Sequence, residues 1–90
     1  MPTVRIPVPL RRLTAGEALV EVAGRRVREL VAGLDAVHPG VGERIVDVDG
    51  ELHRFVNVFV GEQDVRDMAG LDTEVRPHDT VSIVPAVAGG

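Results

Sequence analysis

The chain closes on Ala86-Val87-Ala88-Gly89-Gly90, five small or apolar residues that end in a carboxylate on two glycines. A carboxylate is a poor electrophile, so acyl transfer from Gly90 requires activation, for example as an acyl-adenylate formed with ATP by a partner enzyme. Gly90 has no Cβ, which leaves its carbonyl open to a nucleophile. Gly89 accepts backbone angles that other residues resist, which suits a thread that must enter a narrow cleft. Ala86, Val87 and Ala88 keep that thread slim. If sulfide replaced the hydroxyl of the activated carboxyl, the product would be a thiocarboxylate, a sulfur nucleophile borne on a protein. With 10 glycines in 90 residues a Gly-Gly end also arises by chance, and a frayed terminus is the plain alternative.

Little else in the inventory builds an active site. The one serine, Ser82, falls on an expected strand close in sequence to His78 and Asp79, but adjacency does not supply the geometry of a triad. His38, His53 and His78 stand singly, without metal-ligand spacing, so no metal site is expected. Gly40-Val41-Gly42 starts like a phosphate loop but lacks a third glycine and a strand leading into it. All 10 basic residues are arginine, and there is no lysine and no cysteine. A P-loop and a pyridoxal Schiff base are thereby excluded, as is a disulfide framework. The same absence would shield an activated Gly90 from the chain's own side chains, although a compositional bias toward arginine explains it equally well. The chain is expected not to be an enzyme and to bind no cofactor itself, the ATP being used by the activating enzyme.

Composition narrows the setting. A hydrophobic fraction of 44% with 27% charged residues is that of one ordinary globular domain. The net charge of −4 and the spread of the arginines argue against a nucleic-acid partner. No apolar run approaches the roughly 20 residues of a membrane span, and Met1-Pro2-Thr3 lacks the start of a signal peptide, so no membrane partner and a cytoplasmic location are expected.

The elements that would carry the tail follow from periodicity. Thr3 to Val8 alternates as a strand ended by Pro7 and Pro9, Arg11 to Gly16 is a loop, and Ala18, Val20 and Val22 mark a hairpin partner. Val27, Leu30, Val31, Leu34 and Val37 form one helical stripe, stopped by His38-Pro39-Gly40. Val41 to Glu51 reads as loop, with at most a helical turn around Glu43-Arg44-Ile45 and a turn at Asp49-Gly50. Phe55 to Val60 is a strand with both faces at least partly covered, with Phe55 and Phe59 expected in the core. A shorter strand near Asp64-Val65-Arg66, a helical turn at Leu71-Asp72-Thr73 and a turn at Pro77-His78-Asp79 lead to the last strand, Thr80 to Val84, which Pro85 ends. This order predicts an α+β fold in which one main helix crosses a mixed sheet, the β-grasp. The domain would span residues 1–85, with residues 86–90 as a flexible Gly-Gly tail. Val81 and Ile83 claim one face of the last strand, which leaves Val84 on the other; Val84, Pro85 and Val87 are therefore candidates for a partner-binding surface.

These residues resemble the MoaD and ThiS sulfur carriers, ubiquitin-like β-grasp proteins that end in Gly-Gly. The match spans the whole chain and is most specific in Val81 to Gly90. His38-Pro39-Gly40 with Glu43-Arg44, Leu52 to Val58, and Gln63-Asp64-Val65-Arg66 support it and point to the branch serving actinobacterial cysteine synthesis. The resemblance implies that Gly90 is adenylated and then thiocarboxylated by a relative of the ubiquitin-activating enzymes. It further implies sulfur transfer to an aminoacrylate made from O-phosphoserine on a pyridoxal-dependent, CysM-like cysteine synthase. A JAMM-type metalloprotease would then release cysteine and restore Gly90. Pro77-His78-Asp79 replaces the Gly-Asp turn frequent in such carriers, and Gly61-Glu62 replaces a common Asn, loop changes that bear on partner choice. Sulfur supply to thiamin, molybdopterin or thiosugar synthesis, conjugation through Gly90 as a protein modifier, and a plain interaction domain are the alternatives.

Overall fold

The computed structural model describes residues 1–85. β1 (Thr3–Arg5) and β2 (Leu19–Glu21) pair as an antiparallel hairpin, with Val4 opposite Val20. α1 (Val27–Val37) and α2 (Val41–Ile45) follow, and β3 (Val56–Val60), β4 (Gln63–Asp64) and β5 (Thr80–Pro85) complete a five-stranded sheet. The strand order is β2-β1-β5-β3-β4, with β5 parallel to β1 and antiparallel to β3. The last strand in sequence is thus the middle strand in space, held on both sides by ladder hydrogen bonds.

Alternation along the strands divides the sheet into two unlike faces. Val4, Val58, Val81 and Ile83 point to the inner face, where they meet Val27, Leu30 and Leu34 of α1 and Val41 and Ile45 of α2, all of them buried. Each such side chain contributes about 1.5–3 kcal/mol by leaving water. α1 lies close enough to the sheet that a Cβ at Gly33 would stand 2.7 Å from Val22 Cγ1, which explains a glycine inside a helix where it costs about 1 kcal/mol relative to alanine.

The structure corrects several expectations. β1 stops at Arg5 because Pro7 has no N–H to donate, and the residues expected as strand end and loop wind instead into a 3₁₀ helix, Val8–Leu13, that buries Leu10. α2 forms where mostly loop was expected. The Asp35 carboxylate accepts hydrogen bonds from the N–H groups of Gly40 (3.0 Å) and Gly42 (2.9 Å), capping its start. A Cβ at Gly42 would lie 3.0 Å from that carboxylate, so a larger residue there would have to push the Asp35 side chain aside. Val37 is 66% exposed, at the edge of the α1 stripe in its last turn. Phe55 and Phe59 are not core residues: Val56 and Val58 take the inner face, which leaves Phe59 half-buried on the outer one, and Phe55, in the turn before β3, is exposed. Beyond Asp64 the chain turns into a 3₁₀ helix, Val65–Asp67, because the Asp64 carboxylate accepts from the Arg66 N–H at 2.9 Å.

Candidate functional site

The site follows from the placement of β5. At its end Val56 stands opposite Pro85, which has no donor, while the Val56 N–H donates to the His53 carbonyl at 3.0 Å. The ladder therefore finishes at Pro85, and the chain leaves from the centre of the sheet rather than from a loose border. Val84 is 41% exposed and faces outward, as alternation predicted, and Pro85 is half-buried. Gly90, Gly89, Ala88, Val87 and Ala86, the residues expected to be activated and to thread into a partner, lie outside the described residues.

Around that exit the outer face forms cross-strand rows. Leu19, Arg5, Ser82, Phe59 and Asp64 stand in register across all five strands, and Val84 and Asn57 form the next row toward the end of β5. Arg66 ties this row to the segment that enters β3. Its Nη1 donates to Asn57 Oδ1 at 2.7 Å and its Nη2 to the His53 carbonyl at 2.8 Å. Beyond that anchor the Arg54 guanidinium carbon lies 5.1 Å from the centroid of the Phe55 ring, and the His53 ring stands 6.2 Å away on a tilted plane. The segments Leu52 to Val58 and Gln63 to Arg66, separate in sequence, thus make one surface beside the exit.

Sequence reasoning gave Val84 its outward face but did not anticipate Arg5, Phe55 and Phe59 as exposed or half-buried neighbours, or the Arg66 contacts. The alternation that placed Val84 outward would have placed Arg5 with it, whereas the near-continuous apolar run from Phe55 to Val60 concealed which residues face out. Among the described residues the sheet does not pair Ser82 with a histidine or an acid. Its row partners are Arg5 and Phe59, and the Asp79 carboxylate accepts from the Arg76 N–H at 2.8 Å within a turn. Among the described residues no cluster of His, Cys, Asp and Glu could hold a metal, and no helix is long and apolar enough to cross a membrane. Arg28 at the start of α1 pairs with Asp72 at 3.1 Å. Their hydrogen bond and charges hold the Asp72 carboxyl below the usual aspartate range.

A mixed five-stranded sheet with a helix packed on its inner face and the final strand at its centre defines a ubiquitin-like β-grasp protein. The ThiS family pattern matches residues 4–90, and the chain belongs to the ThiS family. It is 43% identical over 90 residues to the sulfur carrier protein CysO of Mycobacterium tuberculosis, covering 98% of this chain and 97% of that one. A chain of the Amycolatopsis orientalis BexX/CysO complex superposes with a TM-score of 0.94 at 46% identity, covering 100% of both chains. Small archaeal modifier protein 3 of Haloferax volcanii is 34% identical over 64 residues, 71% of this chain and 68% of its own length.

Proposed function

We propose that this chain is a sulfur carrier whose working group is the carboxylate of Gly90. The observation that carries the proposal is the family match, which runs on through the Gly-Gly pair to residue 90, together with near full-length likeness to a protein named as a sulfur carrier. A ubiquitin-activating-type enzyme transfers AMP from ATP to the carboxylate and releases pyrophosphate. Sulfur as sulfide, or as a persulfide with a reductant, then displaces AMP to leave a thiocarboxylate. The chain itself holds no cofactor in this scheme. Its part is to present an unhindered acyl end from a rigid strand, free of lysine and cysteine that could capture the activated group.

The acceptor that fits the CysO likeness is an aminoacrylate, formed from O-phosphoserine on a CysM-like pyridoxal enzyme. The thiocarboxylate sulfur adds to its terminal carbon, and a JAMM-type metalloprotease hydrolyses the resulting cysteine adduct to restore Gly90. Likeness to a chain taken from a BexX/CysO complex supports a carrier that works by docking on other proteins. Likeness to the small archaeal modifier supports a second reading, conjugation through Gly90 to lysines of target proteins.

Intact mass of the chain recovered from its native host, beside a version lacking Gly90, tests the proposal. A gain equal to exchanging one oxygen for sulfur, or to one cysteine residue, is expected only when Gly90 is present. Recovery mainly as a target-bound form would favour the modifier. Unmodified mass after incubation with ATP, sulfide and host extract would overturn both.

A further inference from the structure

The hydrogen-bond pattern between β3 and β5 fixes where the sheet lets go of the chain. The Gly61 N–H donates to the Thr80 carbonyl at 2.9 Å, and from that pair hydrogen-bonded pairs recur at every second residue, at Phe59–Ser82 and then at Asn57–Val84. Beyond it Val56 stands opposite Pro85, which has no N–H, and the Val56 N–H turns away to the His53 carbonyl at 3.0 Å. Asn57–Val84 is therefore the last hydrogen-bonded rung before the exit. β1 pairs with β5 only as far as Ser82, so Ile83, Val84 and Pro85 have a partner strand on one side alone. A rung so placed is the first to open.

One guanidinium closes on it. The Asp64 carboxylate caps the 3₁₀ turn Val65–Asp67, and Arg66 reaches back from that turn to β3. Its Nη1 holds the side chain of Asn57, the β3 member of the rung, at 2.7 Å. Its Nη2 holds, at 2.8 Å, the same His53 carbonyl that accepts the Val56 N–H. Both acceptors are neutral, and among the described residues the one ion pair is Arg28–Asp72. What Arg66 contributes here is the fixed fork of its donors, not a paired charge. We infer that Arg66 is a positioning residue, which secures the last rung and with it the place where β5 releases the chain that ends in Gly90. The inference rests on the carrier role proposed above and adds a residue that acts through β3 and β5 rather than on the carboxylate itself. A frayed rung must be closed again when an activating enzyme takes the chain, so Arg66 sets the fraction ready to bind and leaves the chemical step alone.

The test compares the full-length wild type with Arg66→Ala, Arg66→Lys and Asn57→Ala, first by amide hydrogen exchange read by NMR. In Arg66→Ala the Val84 and Val56 amides should exchange about tenfold faster, while the Gly61 amide at the far end of the same ladder and the urea midpoint stay near wild type. In ATP–pyrophosphate exchange with the ubiquitin-activating-type adenylyltransferase of the same genome, KM for that variant should rise about threefold at unchanged kcat. Arg66→Lys should follow Arg66→Ala, because an ammonium keeps the charge but not the fork, and Asn57→Ala, which removes one of the two acceptors, should fall between. Unchanged exchange at Val84 would overturn the inference. So would an equal acceleration at Gly61, which would make Arg66 a general stabiliser, or a KM that lysine restores, which would mean that the charge itself meets the partner. Amide exchange needs no partner and judges the clasp by itself. Absence of ATP–pyrophosphate exchange with the wild type would instead overturn the carrier role, and the part given to Arg66 in activation with it.

Discussion

The two faces of the sheet are built from the same strands and differ in almost every physical respect. On the inner face Val4, Val58, Val81 and Ile83 are sealed under α1 and α2. On the outer face the alternate residues Arg5, Ser82, Val84, Asn57 and Phe59 mix charge, hydroxyl, amide and apolar groups, and each is half-buried or exposed. β5 serves both: Val81 and Ile83 anchor it in the core, and one residue further Val84 is exposed. Burial and exposure are thereby separated by a single step along the strand. Substitutions on one face should be felt in unfolding and those on the other in activation.

That separation can be broken first at the core. Leu34, 1% exposed in α1, makes the larger difference: Leu34→Ala should lower the unfolding free energy by about 2–5 kcal/mol, measured by urea titration. Its folded fraction should be activated with the KM of the wild type. A raised KM for the folded protein would show that the two faces communicate. Val84→Asp is the converse. With Val84 already 41% exposed, stability should change by no more than about 0.5 kcal/mol, while adenylation weakens because a carboxylate replaces the apolar side chain of a candidate partner-binding residue. Activity equal to the wild type would remove Val84 from the candidate partner-binding residues.

How much of this was legible depends on whether a feature is local. The inner face was, because Val81 and Ile83 alternate, and Leu30 and Leu34 recur with the helical period, under the same burial that the fold requires. The outward direction of Val84 followed from the same alternation. Phe55 and Phe59 were misplaced because six successive residues, only one of them polar, carry no visible alternation, and the face is chosen only when β5 and β4 pair on either side. The Arg66 contacts were not legible at all. A guanidinium that reaches a carbonyl 13 residues earlier depends on closure of the β3–β4 hairpin and on the Asp64 cap that bends the chain after it. The chemistry of the terminus was read from residue types alone, and residues 86–90 lie beyond what the structure describes.

The smallest expected effect sharpens the comparison by lying on neither face. Arg28 and Asp72 join the start of α1 to the 3₁₀ turn Gly70–Asp72, and both side chains are more than half exposed. Because the guanidinium lowers the Asp72 pKa in the folded state, the pair stabilises the fold at pH values above the unfolded aspartate pKa, about 3.9, and loses that contribution as pH falls through the lower folded value. Asp72→Asn should therefore show a slightly lower urea midpoint than the wild type at neutral pH and low salt. The difference should shrink on adding salt and vanish in acid, where the wild-type carboxyl is protonated too. A difference that persisted in acid would assign the stabilisation to the backbone of the turn, where the Asp72 carbonyl accepts from Arg26 Nη1 at 3.4 Å, rather than to charge. In either case exchange activity should stay at the wild-type level, since neither residue belongs to the edge from which β5 leaves the sheet.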